Sequence, residues 1–430
     1  MNEDFLQYLW RFQKFKDYDL RTLDGEAVHV IAPGIQNTNA GPDFLNSRLR
    51  IGNTEWAGNV EIHISASDWF RHKHHLDRAY DNVILHVVYT ADADVSSGSG
   101  DPLPVLCLKD RFDYQTWRYY KSWLKKDGFI PCENLVEEVP EIIKSGTVEA
   151  AFISRLQDKS ALCFDHLTET RGDLEAAFYK LLMRGFGLKV NALPFEQLAR
   201  ATPFALLRKL WSDRTDLEAL LLGQAGFLTE VDFDHPYAVD LVKRYAFLQR
   251  KFDLDPMPKS AWKLFRLRPQ NFPAIRLAQV AAFYHTHGAV AQKILERPDS
   301  ESVFGLFDVS LEGDFWKTRY TLERESAPVK KHIGDTAKGL LVINAVVPFL
   351  FALGKFSKDE AVSERAVALT EELPPENNKV IRGFKKLGFR AENAFDSQGL
   401  LQLKKFGCDA RKCLTCKTGI HLLDRHAKAH

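Results

Sequence analysis

The sequence lacks an excess of either charge: 58 lysines and arginines face 57 aspartates and glutamates, for a formal net charge of +1. That balance excludes a global attraction to nucleic acid or to an anionic membrane, so any such partner must be held by local patches. Cysteine is scarce, six in 430 residues. This is too few for the disulfide framework of a small secreted protein, and reduced thiols in a cytoplasmic setting are expected. No uninterrupted apolar run reaches the roughly 18 residues of a membrane helix. The strongest run, Leu340 to Leu353, is broken by Asn344 and Pro348 and reads as a buried helix. The opening MNEDFLQYLWRFQKF carries acids early and lacks the basic start and apolar stretch of a signal peptide, so neither export nor membrane association is expected.

What is present is a globular composition, 45% hydrophobic and 27% charged, on a chain too long for one ordinary core. Aromatic spacing predicts a helix over residues 3 to 16. Strands follow at Val28 to Ala32, Ser47 to Ile51 and Trp56 to Ile64, the last two joined by a Gly52-Asn53-Thr54 turn. Asp68 can cap a helix from Trp69 onward, and Asn82 to Tyr89 is apolar enough for a strand covered on both faces. Val105 to Leu108 adds one more strand after a loop rich in Asp, Ser, Gly and Pro. From Val148 the pattern is helical nearly to the end, with Pro140 and Gly146 marking a boundary. The expected class is α+β. The expected segments are an α/β domain over 1–140, a helical domain over 148–355, and a C-terminal helical segment with a cysteine cluster over 356–430.

The chemistry concentrates in NAGPDF, which ends with Asp43 and Phe44, and in GNVEIH, which ends with His63. Strand alternation puts Glu61 and His63 on one face, and the hairpin brings Asp43 toward them. Two carboxylates beside a third polar group can hold a hard cation such as Mg²⁺ or Mn²⁺. The alternative is a solvated sheet face with Asp43 capping a turn. Downstream, SDWFRHKHH offers His72 and His75 at i, i+3 on a helix, a spacing suited to zinc, and His86 lies in the apolar strand with the option of facing the site.

The order of helix, three strands, helix and strand, with Pro42-Asp43 opening one strand and Glu61-Ile62-His63 on the next, resembles the PD-(D/E)XK nuclease superfamily over residues 1 to 110. The resemblance implies a restriction-endonuclease-like core. It also implies that Asp43, Glu61 and the Ile62 carbonyl bind metal, and that position 63 orients or activates water. Histidine stands where that family has lysine. It is largely neutral at pH 7 and could act as a base or as a softer ligand. The whole chain also resembles a bacterial family designated domain of unknown function 2851, through NAGPDF, GNVEIH, SDWFRHKHH, YDNVILHVVY, Ile130-Pro131-Cys132 and the ending FDSQGLLQLKKFGCDARKCLTC.

Two further features stand apart. Lys259, Lys263, Arg266, Arg268 and Arg276 lie among Trp262, Phe265 and Phe272 without an acid, a composition suited to nucleic acid or simply to a solvated basic face. Cys408, Cys413 and Cys416, with His421, have spacings a zinc ion accepts; completed by Cys132 they could hold an iron-sulfur cluster, and reduced thiols without metal are the third possibility. Lys404, Lys405, Arg411, Lys412 and Lys417 around them are expected to lower the thiol pKa values. The leading expectation is a metal-dependent phosphodiesterase acting on DNA or RNA. The alternatives are an inactive nuclease-like scaffold that binds nucleic acid or protein, and a hydrolase on another substrate.

Overall fold

In the computed structural model, which describes residues 1–37, 39–125, 127–229, 234–311 and 313–429, the chain opens on helix α1 (Glu3–Arg11). The Asn2 side chain accepts a hydrogen bond from the Phe5 N–H, and Glu3 and Asp4 sit at the positive end of the helix dipole. The helix ends sooner than the aromatic spacing predicts, because Gln13 takes a left-handed φ of +51°. Phe15 nevertheless reaches the interior and stacks on Trp10.

The strands are β1 (Val28–Ala32), β2 (Ile35–Gln36), β3 (Phe44–Ile51), β4 (Thr54–Ser65), β5 (Val83–Thr90) and β6 (Val105–Cys107). They form one sheet in the order β1-β3-β4-β5-β6, with β2 paired to β3. The β1/β3 and β3/β4 pairs are antiparallel; β4/β5 and β5/β6 are parallel. Ile51 pairs with Thr54, so the hairpin loop is Gly52-Asn53, and Gly52 at φ +58° occupies the first loop position, where a II′ turn requires glycine. A parallel neighbour needs a crossover, here supplied by helix α2 (Asp68–Arg71) and two 3₁₀ turns, His74–Leu76 and Arg78–Tyr80. Apart from the short β2, this is the element order the sequence predicts, and the class is α+β.

The sheet is covered. Val60, Ile62, Leu85 and Val87 are fully buried, and α1 packs on β4 while its Phe5 ring meets Phe112, Trp117 and Tyr120, the last two on helix α3 (Tyr114–Leu124). Trp69, Ala66, Val88 and Val105 form a second buried cluster with Val83, Val95 and Leu103. Both faces of β5 are therefore covered, as its largely apolar sequence predicts, and His86 is buried within it.

The chain divides into two compact units, one made of Met1–Thr147, Gly383–Phe389 and Leu403–His430, the other of Val148–Arg382 and Arg390–Gln402. The segments 1–140, 148–355 and 356–430 read from the sequence do not map one to one onto these units, since the last of them contributes to both. Gly146, read as a break, lies inside helix α4 (Glu141–Glu169), where the neighbouring Thr147 hydroxyl donates to the Ile143 carbonyl.

The second unit is helical, as expected. Asp335–Ser357 is long and apolar enough to cross a membrane, but 67% of its apolar window is buried, which makes it a core helix. It accommodates Pro348 by opening into a π turn over Val342–Val346. Glu218 is wholly buried on Arg214–Gln224 and accepts hydrogen bonds from Arg214 Nε, Tyr237 Oη and Trp316 Nε1 at 2.9, 2.8 and 2.7 Å. Glu218→Ala leaves all three donors without their acceptor and is expected to destabilise this unit by about 3–5 kcal/mol. Urea unfolding followed by tryptophan fluorescence checks this; an unchanged midpoint would refute it.

Candidate metal centre

The site is assembled where β3, β4 and β5 run side by side. Phe44 pairs with Val60, which brings Asp43, just before β3, beside Glu61. The pairing then slips between Phe44 and Ser47, with Asn46 at φ +57°, a bulge at the strand entrance. The Asp43 N–H donates to Glu61 Oε2 at 3.0 Å, and the Ile62 N–H donates to Asp43 Oδ2 at 2.9 Å. From α1, Gln7 Nε2 donates to Asp43 Oδ1 at 2.9 Å. The two acids are thus neighbours, and it is the Ile62 N–H, on Asp43, that the geometry brings into the network.

Glu61 pairs in register with His86 on β5. His63, two residues on from Glu61, is almost fully buried; its Nδ1 lies 2.9 Å from His86 Nε2 and its Nε2 3.1 Å from His72 Nδ1. Glu61 Oε1 is 3.4 Å from His63 Nε2 and 3.3 Å from His74 Nε2. One ring nitrogen from each of His63, His72 and His74 lies within 4.8 Å of the others, a spacing that admits a metal ion. His74 is also stacked on Tyr80 at 3.8 Å and edge-on to Trp69 at 5.4 Å, which fixes its ring.

The crossover explains why His74 joins rather than His75. The i, i+3 reasoning needs a helix through residue 75, but α2 ends at Arg71 and Lys73 turns left-handed at φ +63°. That reversal swings His74 toward His72 and Glu61, and leaves the His75 ring against Phe70. Asp68 does not cap through its side chain; it pairs with Arg71 and accepts from the Ser65 N–H. Of the accessory histidines, His72 and His86 meet the cluster and His75 does not. His74 and Tyr80 were missed by sequence reasoning, and the only signal was the density of histidine in SDWFRHKHH.

Burial pushes the Asp43 and Glu61 carboxyls above the ordinary carboxylate range; Glu3 and Asp4 add to this for Asp43, and the Asp43 charge does so for Glu61. Burial, with the neighbouring histidines, pulls His63 down to about 2, His74 to about 4 and His86 to about 3. The imidazoles are therefore neutral, with lone pairs available, while the acids are costly to ionise. A cation placed among them relieves both conditions.

The remaining sequence candidates divide. Among the basic residues, Lys263, Arg266 and Arg268 are exposed beside exposed Phe265, Lys259 is held by Glu323, and Arg276 is buried on Gln279 and Asn271. Trp262 is core, donating to the Ala225 carbonyl. At the C-terminus, Cys408, Cys413 and Cys416 line a cavity together with Cys132, and His421 is not among its lining residues. The thiols are not acidified as the nearby lysines suggest. Burial pushes Cys132 and Cys413 up to about 12 and raises Cys408 and Cys416 as well.

No curated protein and no solved structure matches the chain. The family described as "Protein of unknown function (DUF2851)" matches residues 3–379, a span that holds Asp43, Glu61 and all the clustered histidines, and the chain belongs to that family.

Proposed function

We propose that the first unit is a metal-dependent phosphodiesterase of nuclease type, acting on nucleic acid, DNA or RNA. The observation that carries this reading is the set of His63, His72 and His74 ring nitrogens within 4.8 Å of one another, with Glu61 Oε1 3.4 and 3.3 Å from His63 and His74 and Asp43 beside Glu61. The donor set fits a cation, because His74 Nε2 is buried without a hydrogen bond although Glu61 Oε1 is 3.3 Å away. Glu61 and the three imidazoles would hold the ion, with Asp43 alongside. Two carboxylates suit Mg²⁺ or Mn²⁺; the imidazoles move the preference to Mn²⁺ or Zn²⁺, since Mg²⁺ keeps to oxygen donors. A divalent ion at this point supplies a Lewis acid for a phosphoryl oxygen and lowers the pKa of water.

The chain's own groups have separable tasks. His63 Nδ1 lies 2.9 Å from His86 Nε2; in the tautomer where Nδ1–H donates, the Nε2 lone pair is left for the ion, and His86 is then a positioning residue. His63 is thus a ligand rather than the water-handling base that the nuclease resemblance implies for its position. Asp43, oriented by the Ile62 N–H and the Gln7 amide, is the group placed to take the proton of the attacking water. Arg71, Lys73 and Arg78 are exposed on the crossover that carries His72 and His74 and suit a phosphate-bearing substrate.

The test is cleavage of single- and double-stranded DNA and RNA by the chelator-treated chain, with Mn²⁺, Zn²⁺ or Mg²⁺ restored in turn. Ion-dependent cleavage that Asp43→Ala abolishes is expected. Salt-sensitive binding without cleavage would favour the scaffold reading, and hydrolysis confined to small esters would favour a hydrolase of another class.

A further inference from the structure

Cys132, in the turn after α3, meets Cys408, Cys413 and Cys416 from the far end of the sequence around one small cavity, all within the first unit. All four are free thiols, and Cys132 and Cys413 are buried. The walls between them are Trp123, Pro131, Leu403 and Gly407. Four cysteines gathered at one small cavity are not ordinary core packing, in which a buried thiol serves as a small hydrophobe and needs no other cysteine near it.

The local backbone is shaped around these sulfurs. The π turn Leu403–Cys408 delivers Cys408, and Cys416 precedes helix Lys417–Ala429, whose Thr418 N–H donates to the Thr147 hydroxyl. Gly419 is required there: a Cβ would lie 2.1 Å from the Cys413 carbonyl oxygen. Lys412 lines the cavity, and Lys404 and Arg411 act on Cys408 and Cys413 as positive neighbours. Cations at the rim stabilise an anionic sulfur-ligated centre.

We propose that Cys132, Cys408, Cys413 and Cys416 ligate an iron-sulfur cluster. Zinc with His421 as the fourth ligand is disfavoured on two counts. His421 does not line the cavity. A tetrahedral zinc with sulfur at about 2.3 Å draws its thiolates to roughly 3.8 Å from one another, yet no three of these four sulfurs lie within 4.8 Å of one another. A cluster core spreads its cysteines over several irons and fills the space between them. The centre ties Cys132 to the returning segment, whose other fastenings include the Thr147 to Thr418 hydroxyl contact and the Arg411 bond to the Leu124 carbonyl. This inference does not depend on the phosphodiesterase reading.

The test is iron, acid-labile sulfide and zinc analysis of the full chain purified without oxygen, with visible absorption before and after dithionite. Iron and sulfide in equal amounts and a visible band bleached by reduction are expected. Cys132→Ala and Cys408→Ala should lose the iron, while His421→Ala should keep it in full. Stoichiometric zinc without sulfide would overturn the proposal, as would iron loss in His421→Ala or full iron in Cys132→Ala. Should the cysteine variants fail to fold, the wild-type chain decides through iron X-ray absorption: sulfur neighbours with iron-iron scattering support the cluster, and nitrogen neighbours or four thiols alkylated at once under anaerobic native conditions reject it.

Discussion

Glu61→Ala is expected to weaken Mn²⁺ or Zn²⁺ binding by more than about 10²-fold and to abolish metal-dependent cleavage, because it removes the one carboxylate oxygen shared by His63 and His74. What remains is three imidazoles, which attract a dication less than a set with a carboxylate does. His86→Ala should act more mildly. It leaves every donor in place and removes only the partner that orients the His63 ring, a change that costs roughly 10- to 100-fold in affinity when an outer hydrogen-bond partner of a metal ligand is lost. His75→Ala is the control, since its ring packs on Phe70 outside the cluster, and its affinity should equal wild type. Chelator competition on the purified variants measures the series, and thermal melting confirms that each is folded. Equal affinity for Glu61→Ala and His75→Ala would remove the ion from this site.

How far this site could be read from the sequence depends on how local its geometry is. Alternation along β4 is enough to put Glu61 and His63 on one face, and a two-residue hairpin fixes which residues of β3 reach them. His86 is harder, because an apolar strand gives no register; its place beside Glu61 comes from the parallel pairing with β4. His74 was out of reach. Its direction depends on Lys73 adopting a left-handed conformation, uncommon for a residue with a Cβ and not marked by glycine or asparagine. The cysteines show the same divide. Cys413 and Cys416 are near in sequence, but the wall that Cys132 adds depends on Leu403–His430 belonging with the first 147 residues, which no local pattern encodes. The basic stretch misleads for a related reason: composition sees Arg276 and Lys259 as free charge, whereas helix packing buries one and an acid distant in sequence, Glu323, holds the other.

Without metal, stability should be greatest near neutral pH and fall as the pH rises above it, and a bound dication should remove that fall. The carboxyls of Asp43 and Glu61 have folded-state pKa values raised above the unfolded values of about 4. Their contribution is complete below the unfolded pKa and is lost as the pH climbs through the raised folded values, because the unfolded chain releases protons that the folded site retains. The histidines run the other way. His63, His74 and His86 are held at about 2, 4 and 3, below the unfolded value near 6.5, so they contribute fully above 6.5 and their contribution is lost as the pH falls from there toward the folded values. Of the groups at this site, only the carboxyls act above pH 7, at a slope of up to about 1.4 kcal/mol per pH unit for each proton retained. A cation ionises both carboxyls in the folded state and so cancels the slope, which means that the stabilisation by Mn²⁺ or Zn²⁺ should grow from pH 6 to pH 8. Melting curves of the wild-type chain in chelator and in metal, taken across that range, measure the effect, and Glu61→Gln should flatten the chelator curve by removing one of the two titrating acids. A chelator slope that Glu61→Gln leaves unchanged would mean that Glu61 is already ionised in the folded protein without a cation to balance it.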